Sequence, residues 1–380
     1  MAKKSILLVI RWPVGGIRTY LRYVYKGFDP SIWHFTIIAP QVDEMKVLLS
    51  EDLDGRDICY VRLAEKPSVS TFTKQVFIEL KRKRYDLVHS HGFTSGACVA
   101  IPARIFRVTH IMTSHDIINS KQFSGWTGSV KKLFLEYFFG MADVIHSVSH
   151  DAQSNLFEYF PKLSKNLNKC IVIQNGIEIE RFSAAQPRNF KNELNIKEDV
   201  FLIGFLGRFM SQKGFRYLID AVSRLSLKNN LPKKPLVLTF GDGGFVEREK
   251  RLITIMGLER YFKHMPFTSN IAATLKGLDV VAMPSLWEAC GLLAMETLVC
   301  GTPLIVADCI GLREVVQNTP AKIVSKANSK QLAEELIVEM EKSSKRKFQA
   351  FSSEAIKKYD VQQTRDDLLE LYKRCICFGK

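Results

Sequence analysis

No stretch of the 380-residue chain approaches the ~20 uninterrupted apolar residues that a membrane-spanning helix needs. The apolar run at residues 5–10 is closed by Arg11, too short for the hydrophobic part of a secretion signal. Both absences point to a soluble, cytoplasmic protein. Cysteine lacks a pattern: Cys59, Cys98, Cys170, Cys290, Cys300, Cys309, Cys375 and Cys377 lie scattered in apolar segments, with no C-x-x-C pair and no histidine at ligand spacing. That argues against a zinc site or disulfide framework and leaves buried free thiols. The turn Trp12-Pro13-Val14-Gly15-Gly16-Ile17 lacks the G-x-G-x-x-G spacing of a dinucleotide site. Acidic residues are in deficit, 39 against 54 lysines and arginines, for a net charge of +15. Such a balance implies an anionic partner: phosphate groups, nucleic acid or an acidic membrane surface. No nucleic-acid module or interleaving of aromatic and basic residues is present, so nucleic acid is not expected.

What the sequence does have is repetition. Short β-branched runs at 5–10, 33–39, 58–62, 87–90, 110–114 and 144–148 read as buried parallel strands, being continuous apolar runs bounded by polar or turn residues. Helical segments at 18–26, 73–84, 95–107 and 129–140 separate them, which gives a doubly wound α/β sheet. After a polar stretch at 190–200 the pattern restarts, with strands at 201–206, 236–240, 280–283, 304–307 and 322–324. Residues 343–374 read as a charged helix that packs back over the domain junction. The predicted organisation is two facing Rossmann-like domains, 1–180 on the acceptor side and 181–360 on the donor side. Residues 361–380 form the returning helix. Ligands of such sheets sit beyond the carboxyl ends of the strands, so the shared cleft is the predicted site.

Three of those strand ends carry chemistry. Gly15 and Gly16 allow close approach of backbone N–H groups to a phosphate or sugar, although a tight turn explains two glycines equally well. In Gly207-Arg208-Phe209-Met210-Ser211-Gln212-Lys213-Gly214, two cations five residues apart flank a strand-to-helix turn and can close on a diphosphate. In Pro284-Ser285-Leu286-Trp287-Glu288-Ala289-Cys290-Gly291-Leu292-Leu293-Ala294-Met295-Glu296, a loop carboxylate and a helix carboxylate stand on either side of a glycine-opened helix. They can accept hydrogen bonds from the hydroxyls of a sugar.

The string from Glu288 to Glu296 resembles the E-x7-E signature of the retaining glycosyltransferases of the GT-B fold, most closely glycosyltransferase family 4. The Gly15-Gly16 loop, His91-Gly92, His115-Asp116, Asn175-Gly176-Ile177, Gly207-Arg208 with Lys213-Gly214, Gly241-Asp242-Gly243 and Cys300-Gly301-Thr302-Pro303 fall in the family's order. The resemblance implies that Arg208 and Lys213 bind the donor diphosphate. It places Glu288 at the donor-sugar hydroxyls and Glu296 at the ribose. The backbone at Gly291, Leu292 and Leu293 would touch sugar and phosphate, with Gly207 and Gly241 also on the donor side, and Phe267 lies in the loop expected near the nucleobase. His115 is implied to stand near the transferred sugar, with Gly16 lining the same space. Cys290, Leu293, Pro266 and Ile310 depart from the family's usual residues and leave donor identity open.

The implied reaction is transfer of a sugar with retention from a nucleoside diphosphate donor, UDP favoured over GDP, to a glycan acceptor, in bacterial surface polysaccharide synthesis. Such an acceptor would be lipid-linked. No dedicated base is needed, because a phosphate oxygen takes the acceptor proton. Epimerase, phosphorylase and non-catalytic readings of the same fold fit less well with the joint presence of Arg208, Lys213, Glu288 and Glu296. No cofactor or metal is expected: Asp52-Leu53-Asp54 spells D-x-D but reads as a solvated loop, and the two cations supply the charge a metal would. The basic run at 81–84 reads either as last-turn cations facing water or as a membrane contact. Val130, Leu133, Phe134, Tyr137 and Phe138 beside Lys131 and Lys132 read either as core packing or as a surface for an anionic membrane at the inner face of the cell.

Overall fold

The computed structural model describes residues 3–378. The chain divides into two compact units: the first runs to Gly176 and takes back the segment from Val361, and the second is Ile177–Asp360. Among the described residues no helix is long and apolar enough to cross a membrane.

The first unit is built on seven strands, β1 (Lys4–Ile10), β2 (Trp33–Pro40), β3 (Ile58–Leu63), β4 (Leu87–His91), β5 (His110–Ser114), β6 (Val144–Ser147) and β7 (Cys170–Val172). They pair in parallel in the order β3-β2-β1-β4-β5-β6-β7. Alternate side chains of β1 leave by opposite faces: Leu7 and Val9 pack with Val76 and Leu80 of the Val69–Arg82 helix and Val99 and Ala103 of the Phe93–Ile105 helix. Ser68 caps the first of these helices by accepting from Thr71 N, which fixes its start. The order reverses direction between β1 and β4, and the register sets Ile10 beside His91 and His91 beside Thr113. Three strands therefore finish level at the switch point, where open α/β sheets bind ligands.

The second unit repeats the plan with β8 (Val200–Leu206), β9 (Lys234–Phe240), β10 (Phe262–Met265), β11 (Val280–Met283), β12 (Leu304–Ala307) and β13 (Lys322–Val324), in the parallel order β10-β9-β8-β11-β12-β13. Phe201, Ile203 and Phe205 of β8 pack against Phe215, Leu218, Ile219 and Val222 of the Phe215–Ser226 helix. Its switch point falls between β8 and β11.

Two edge strands escape the sequence pattern. β7 has three residues, and β10 carries the exposed Lys263 and His264, so neither shows the continuous apolar run of a central strand. The single helix predicted at 343–374 is two, Lys345–Lys358 and Val361–Phe378, broken where Asp360 bridges to Ile177.

Candidate active site

β8 ends at Leu206 and the chain turns at Gly207, whose N–H donates to Phe240 O at 2.9 Å, bringing the loop beside Gly241 at the end of β9. Arg208 follows, exposed, and no side-chain hydrogen bond or ion pair engages it among the described residues. One turn of 3₁₀ helix, Ser211–Lys213, then carries Lys213 to the loop after β11, where its Nζ lies 2.7 Å from Glu288 Oε1. Glu288 is buried, and the same oxygen accepts from Ser285 Oγ at 2.8 Å. Gln212 locks the two loops together: its carbonyl accepts from Leu286 N at 2.8 Å and its amide donates to Trp287 O at 3.0 Å. A paired, hydrogen-bonded carboxylate of this kind holds one orientation.

Two glycines make that closure possible. A Cβ at Gly214 would stand 2.0 Å from the Pro284 carbonyl oxygen, and one at Gly311 would stand 2.0 Å from that of Glu288. Both residues have positive φ, +64° and +79°, open to glycine with little strain. Ile310, one of the departures noted in the sequence, accepts from Glu288 N at 2.9 Å and so holds the loop from the other side.

The Leu292–Val299 helix begins at Gly291 with no side-chain cap and no acid in its first turn, so the positive end of its dipole is uncompensated by its own residues. Leu292 and Leu293 are half-buried at that end, and Glu296 is buried in the second turn. Phe267, beyond β10, is 87% exposed, its ring faces open for stacking. The second unit thus brings together Arg208, Lys213 and Glu288 with a helix N-terminus. That set offers positive charge to a diphosphate and a fixed acceptor to a hydroxyl.

In the first unit, Gly16 opens the Gly16–Tyr25 helix, again without a side-chain cap, and a Cβ there would meet nothing within 4 Å. His115 follows β5, its Nε2 3.0 Å from His91 Nδ1 and its ring 4.8 Å from that of Tyr20. Burial, reinforced by His91 and His146, holds its pKa well below the usual histidine value, so the ring is neutral at pH 7.

Behind it lies a buried polar chain. His146 Nε2 is 3.0 Å from the Ile173 carbonyl, which only accepts, so Nε2 carries the proton and Nδ1 accepts from Thr113 Oγ1 at 2.9 Å. Thr113 in turn accepts from His89 Nε2, leaving His89 Nδ1 to accept from the Tyr372 hydroxyl at 2.6 Å. Tyr25 OH closes the chain, 2.9 Å from Tyr372 OH and 3.0 Å from His91 Nε2. One carbonyl therefore sets the tautomers of two histidines.

The sequence reading assigned Tyr25 and Tyr372 no place in the site, and included Gln212 and Ser285 only as members of motifs, without a role. The signal for the first pair was available, since His89 and His91 alternate on a strand that is otherwise buried, and buried imidazoles need partners. Asp52 corrects the expectation of a solvated loop. Its side chain is 8% exposed and sits 2.9 Å from Arg18 Nη2 and 3.3 Å from Arg22 Nε, fastening the Gly16–Tyr25 helix to the loop beside it.

The chain matches the model described as Glycosyltransferase Family 4 over residues 14–181 and the one described as Glycosyl transferases group 1 over residues 187–358. It is 28% identical over 244 residues to the UDP-Gal:alpha-D-GlcNAc-diphosphoundecaprenol alpha-1,3-galactosyltransferase of Escherichia coli, a match spanning 63% of this chain and 62% of that one. An uncharacterized glycosyltransferase of Methanocaldococcus jannaschii is 25% identical over 321 residues, 80% of each chain. The crystal structure of Anabaena HepE in complex with UDP-glucose shares the fold, with a TM-score of 0.81 at 21% identity over 97% of this chain and 99% of that one. With both halves of the sequence matched in order and two parallel sheets of the same kind, the chain belongs to glycosyltransferase family 4, enzymes of the GT-B fold that transfer sugars.

Proposed function

We propose that the protein transfers a sugar, with retention, from a nucleoside diphosphate donor to a lipid-linked glycan acceptor during bacterial surface polysaccharide synthesis, working at the cytoplasmic face of the membrane. The observation that carries the donor assignment is the cluster at the ends of β8 and β11: Arg208, without an ion pair among the described residues, Lys213 braced on Glu288, and the uncapped helix start at Gly291. A diphosphate leaving group needs positive charge at the moment the glycosidic bond breaks, and preorganised cations supply it without reorganisation. In the proposed step the acceptor hydroxyl attacks the anomeric carbon on the face the diphosphate leaves. The carbon–oxygen bond breaks with its electron pair going to phosphate, and a phosphate oxygen takes the hydroxyl proton. Glu288 accepts from donor-sugar hydroxyls, Glu296 from the ribose, and Phe267 lies along the base. Arg208 and Lys213 carry the charge, so no metal is required.

The preference for UDP and for a lipid-linked acceptor rests on the Escherichia coli relative, named for UDP-galactose and a diphosphoundecaprenol acceptor. The test is incubation with a panel of UDP- and GDP-sugars, with and without a diphospholipid acceptor, measuring nucleotide release in the presence of EDTA. Acceptor-stimulated release of UDP is expected. Folded protein that releases nucleotide from no donor would end the transferase reading, and release that needs magnesium or manganese would end the metal-free mechanism.

A further inference from the structure

The Val69–Arg82, Phe93–Ile105 and Gly125–Gly140 helices pack side by side on one face of the first sheet. Their outward surface is the reverse of an ordinary solvated helix. The Gly125–Gly140 helix exposes Trp126, Val130, Leu133, Phe134 and Tyr137, at 79%, 43%, 58%, 57% and 63%. Four of the five stripe residues at 130–138, all but the half-buried Phe138, therefore face outward rather than packing in the core, as one of the two sequence readings had it. Its neighbours add Ile101 and Ile105 from one helix and Phe77 and Ile78 from the other, all exposed. Isolated surface apolar residues are ordinary, but nine of them exposed on three neighbouring helices of one face mark an interaction site.

The charge on the same helices decides what it meets. Residues 69–84, 93–107 and 125–140 contain nine lysines and arginines. Their only carboxylates are Glu79 and Glu136, and both are buried. Glu79 is held by Arg82 and Tyr85, and Glu136 accepts from Lys162 N. No carboxylate on these helices faces water. An aromatic and aliphatic surface framed by cations, with tryptophan and tyrosine at its ends, has the composition of an interfacial element: the rings enter the headgroup boundary and the lysine stems lie along it. A symmetric contact with a second copy would set cations against cations with no exposed carboxylate on these helices to offset them.

We propose that this three-helix face docks the protein on an anionic lipid bilayer. The proposal deepens the reading of a lipid-linked acceptor and rests on it for its purpose, though not for its observations. The test uses the full chain and vesicles of phosphatidylglycerol mixed with phosphatidylcholine, compared with phosphatidylcholine alone, by co-sedimentation. Binding should be confined to the anionic vesicles and should fall steeply between ~0.05 M and ~0.5 M salt, as the screening length shrinks from over 10 Å to a few ångströms. Leu133→Ser with Phe134→Ser should weaken it by at least about tenfold, since both side chains lose their transfer into the bilayer. Lys81→Ser with Lys83→Ser and Arg84→Ser should weaken it further and flatten the salt dependence; Arg82 is left in place because it holds Glu79. Both variants should keep the parent's unfolding temperature and its nucleotide release from a soluble donor.

Undiminished binding by the Leu133/Phe134 variant, or no binding of the parent at any salt, overturns the proposal. So does concentration-dependent self-association of the parent in sedimentation velocity that this variant abolishes, because the face would then be a contact between copies. Protein that binds vesicles and turns over no donor keeps this face and loses the transferase reading; protein that turns over donor and ignores vesicles does the opposite.

Discussion

At the scale of single residues, the two cations of the candidate donor site differ in a way that kinetics and stability can separate. Arg208 is exposed and has no ion pair among the described residues, whereas Lys213 neutralises a buried carboxylate. Arg208→Ala should lower turnover by at least about tenfold and leave stability within ~0.5 kcal/mol, as for other exposed positions. Lys213→Ala should lower turnover comparably and also strand Glu288 in a buried site, at a cost of about 1–3 kcal/mol. For a domain of this size that is a fall of several degrees in unfolding temperature, at ~2–4 °C per kcal/mol. Calorimetry of the two variants checks the distinction: equal thermal stability would mean that the Lys213–Glu288 pair is not the fixed element drawn here. The sequence could name both cations because each stands just past a strand. It could not show that one of them is already bound to the carboxylate three strands' worth of chain away, since that pairing exists only once β8 and β11 lie side by side.

At the scale of elements, the Val361–Phe378 helix is a structural member of the first unit, because Tyr372 carries its hydrogen bonding into the polar chain beneath His115. Tyr372→Phe keeps the ring and removes the hydroxyl, so His89 Nδ1 loses its 2.6 Å donor and is left with the Tyr25 hydroxyl at 3.1 Å, in a fully buried site. The expected cost is that of one buried hydrogen bond, about 0.5–1.5 kcal/mol, confined to the first unit. Hydrogen exchange followed by mass spectrometry should show protection lost across β4, β5 and the Val361–Phe378 helix, with the Ile177–Asp360 unit unchanged. Loss spread evenly over both units, or none at all, would remove the helix from this role. The helical period of residues 361–378 was readable in advance, as were its charge and its return to the first domain. The boundary at 361 was drawn in advance, but the interruption of the helix read over 343–374 was not, because nothing in the local composition breaks the helical pattern at Asp360, where the chain bridges to Ile177, far away in sequence.

At the scale of the whole molecule, titration should treat the two units differently. His89, His91, His110 and His146 are all buried in the first unit, while the second has a single histidine, His264, which is exposed. Burial lowers the pKa of each of the four, to about 4 for His146 and about 3 for His110, and well below the ordinary value for His89 and His91. In the unfolded chain they titrate near 6.5. Below that value the unfolded state binds more protons than the native one, so stability is full at neutral pH and lost as pH falls from ~6.5 towards the folded values. Each histidine contributes a slope of up to about 1.4 kcal/mol per pH unit. Acid should therefore open the first unit while the second keeps its exchange protection; first-unit stability that stays flat between pH 7 and 5 would contradict the picture.

The sequence alone determined the doubly wound plan, repeated twice, and the candidate residues at the strand ends, because a buried parallel strand is a local apolar run and the glycines and charges that follow it are local too. It also determined the charge surplus. Only the tertiary structure decided what those residues do to one another. Register between strands distant in sequence joins Lys213 to Glu288 and threads four histidines and two tyrosines into one chain of hydrogen bonds. The stacking of three helices on one side of a sheet turns an ambiguous apolar stripe outward, since a periodic pattern says that a helix has two faces but not which of them another element will cover.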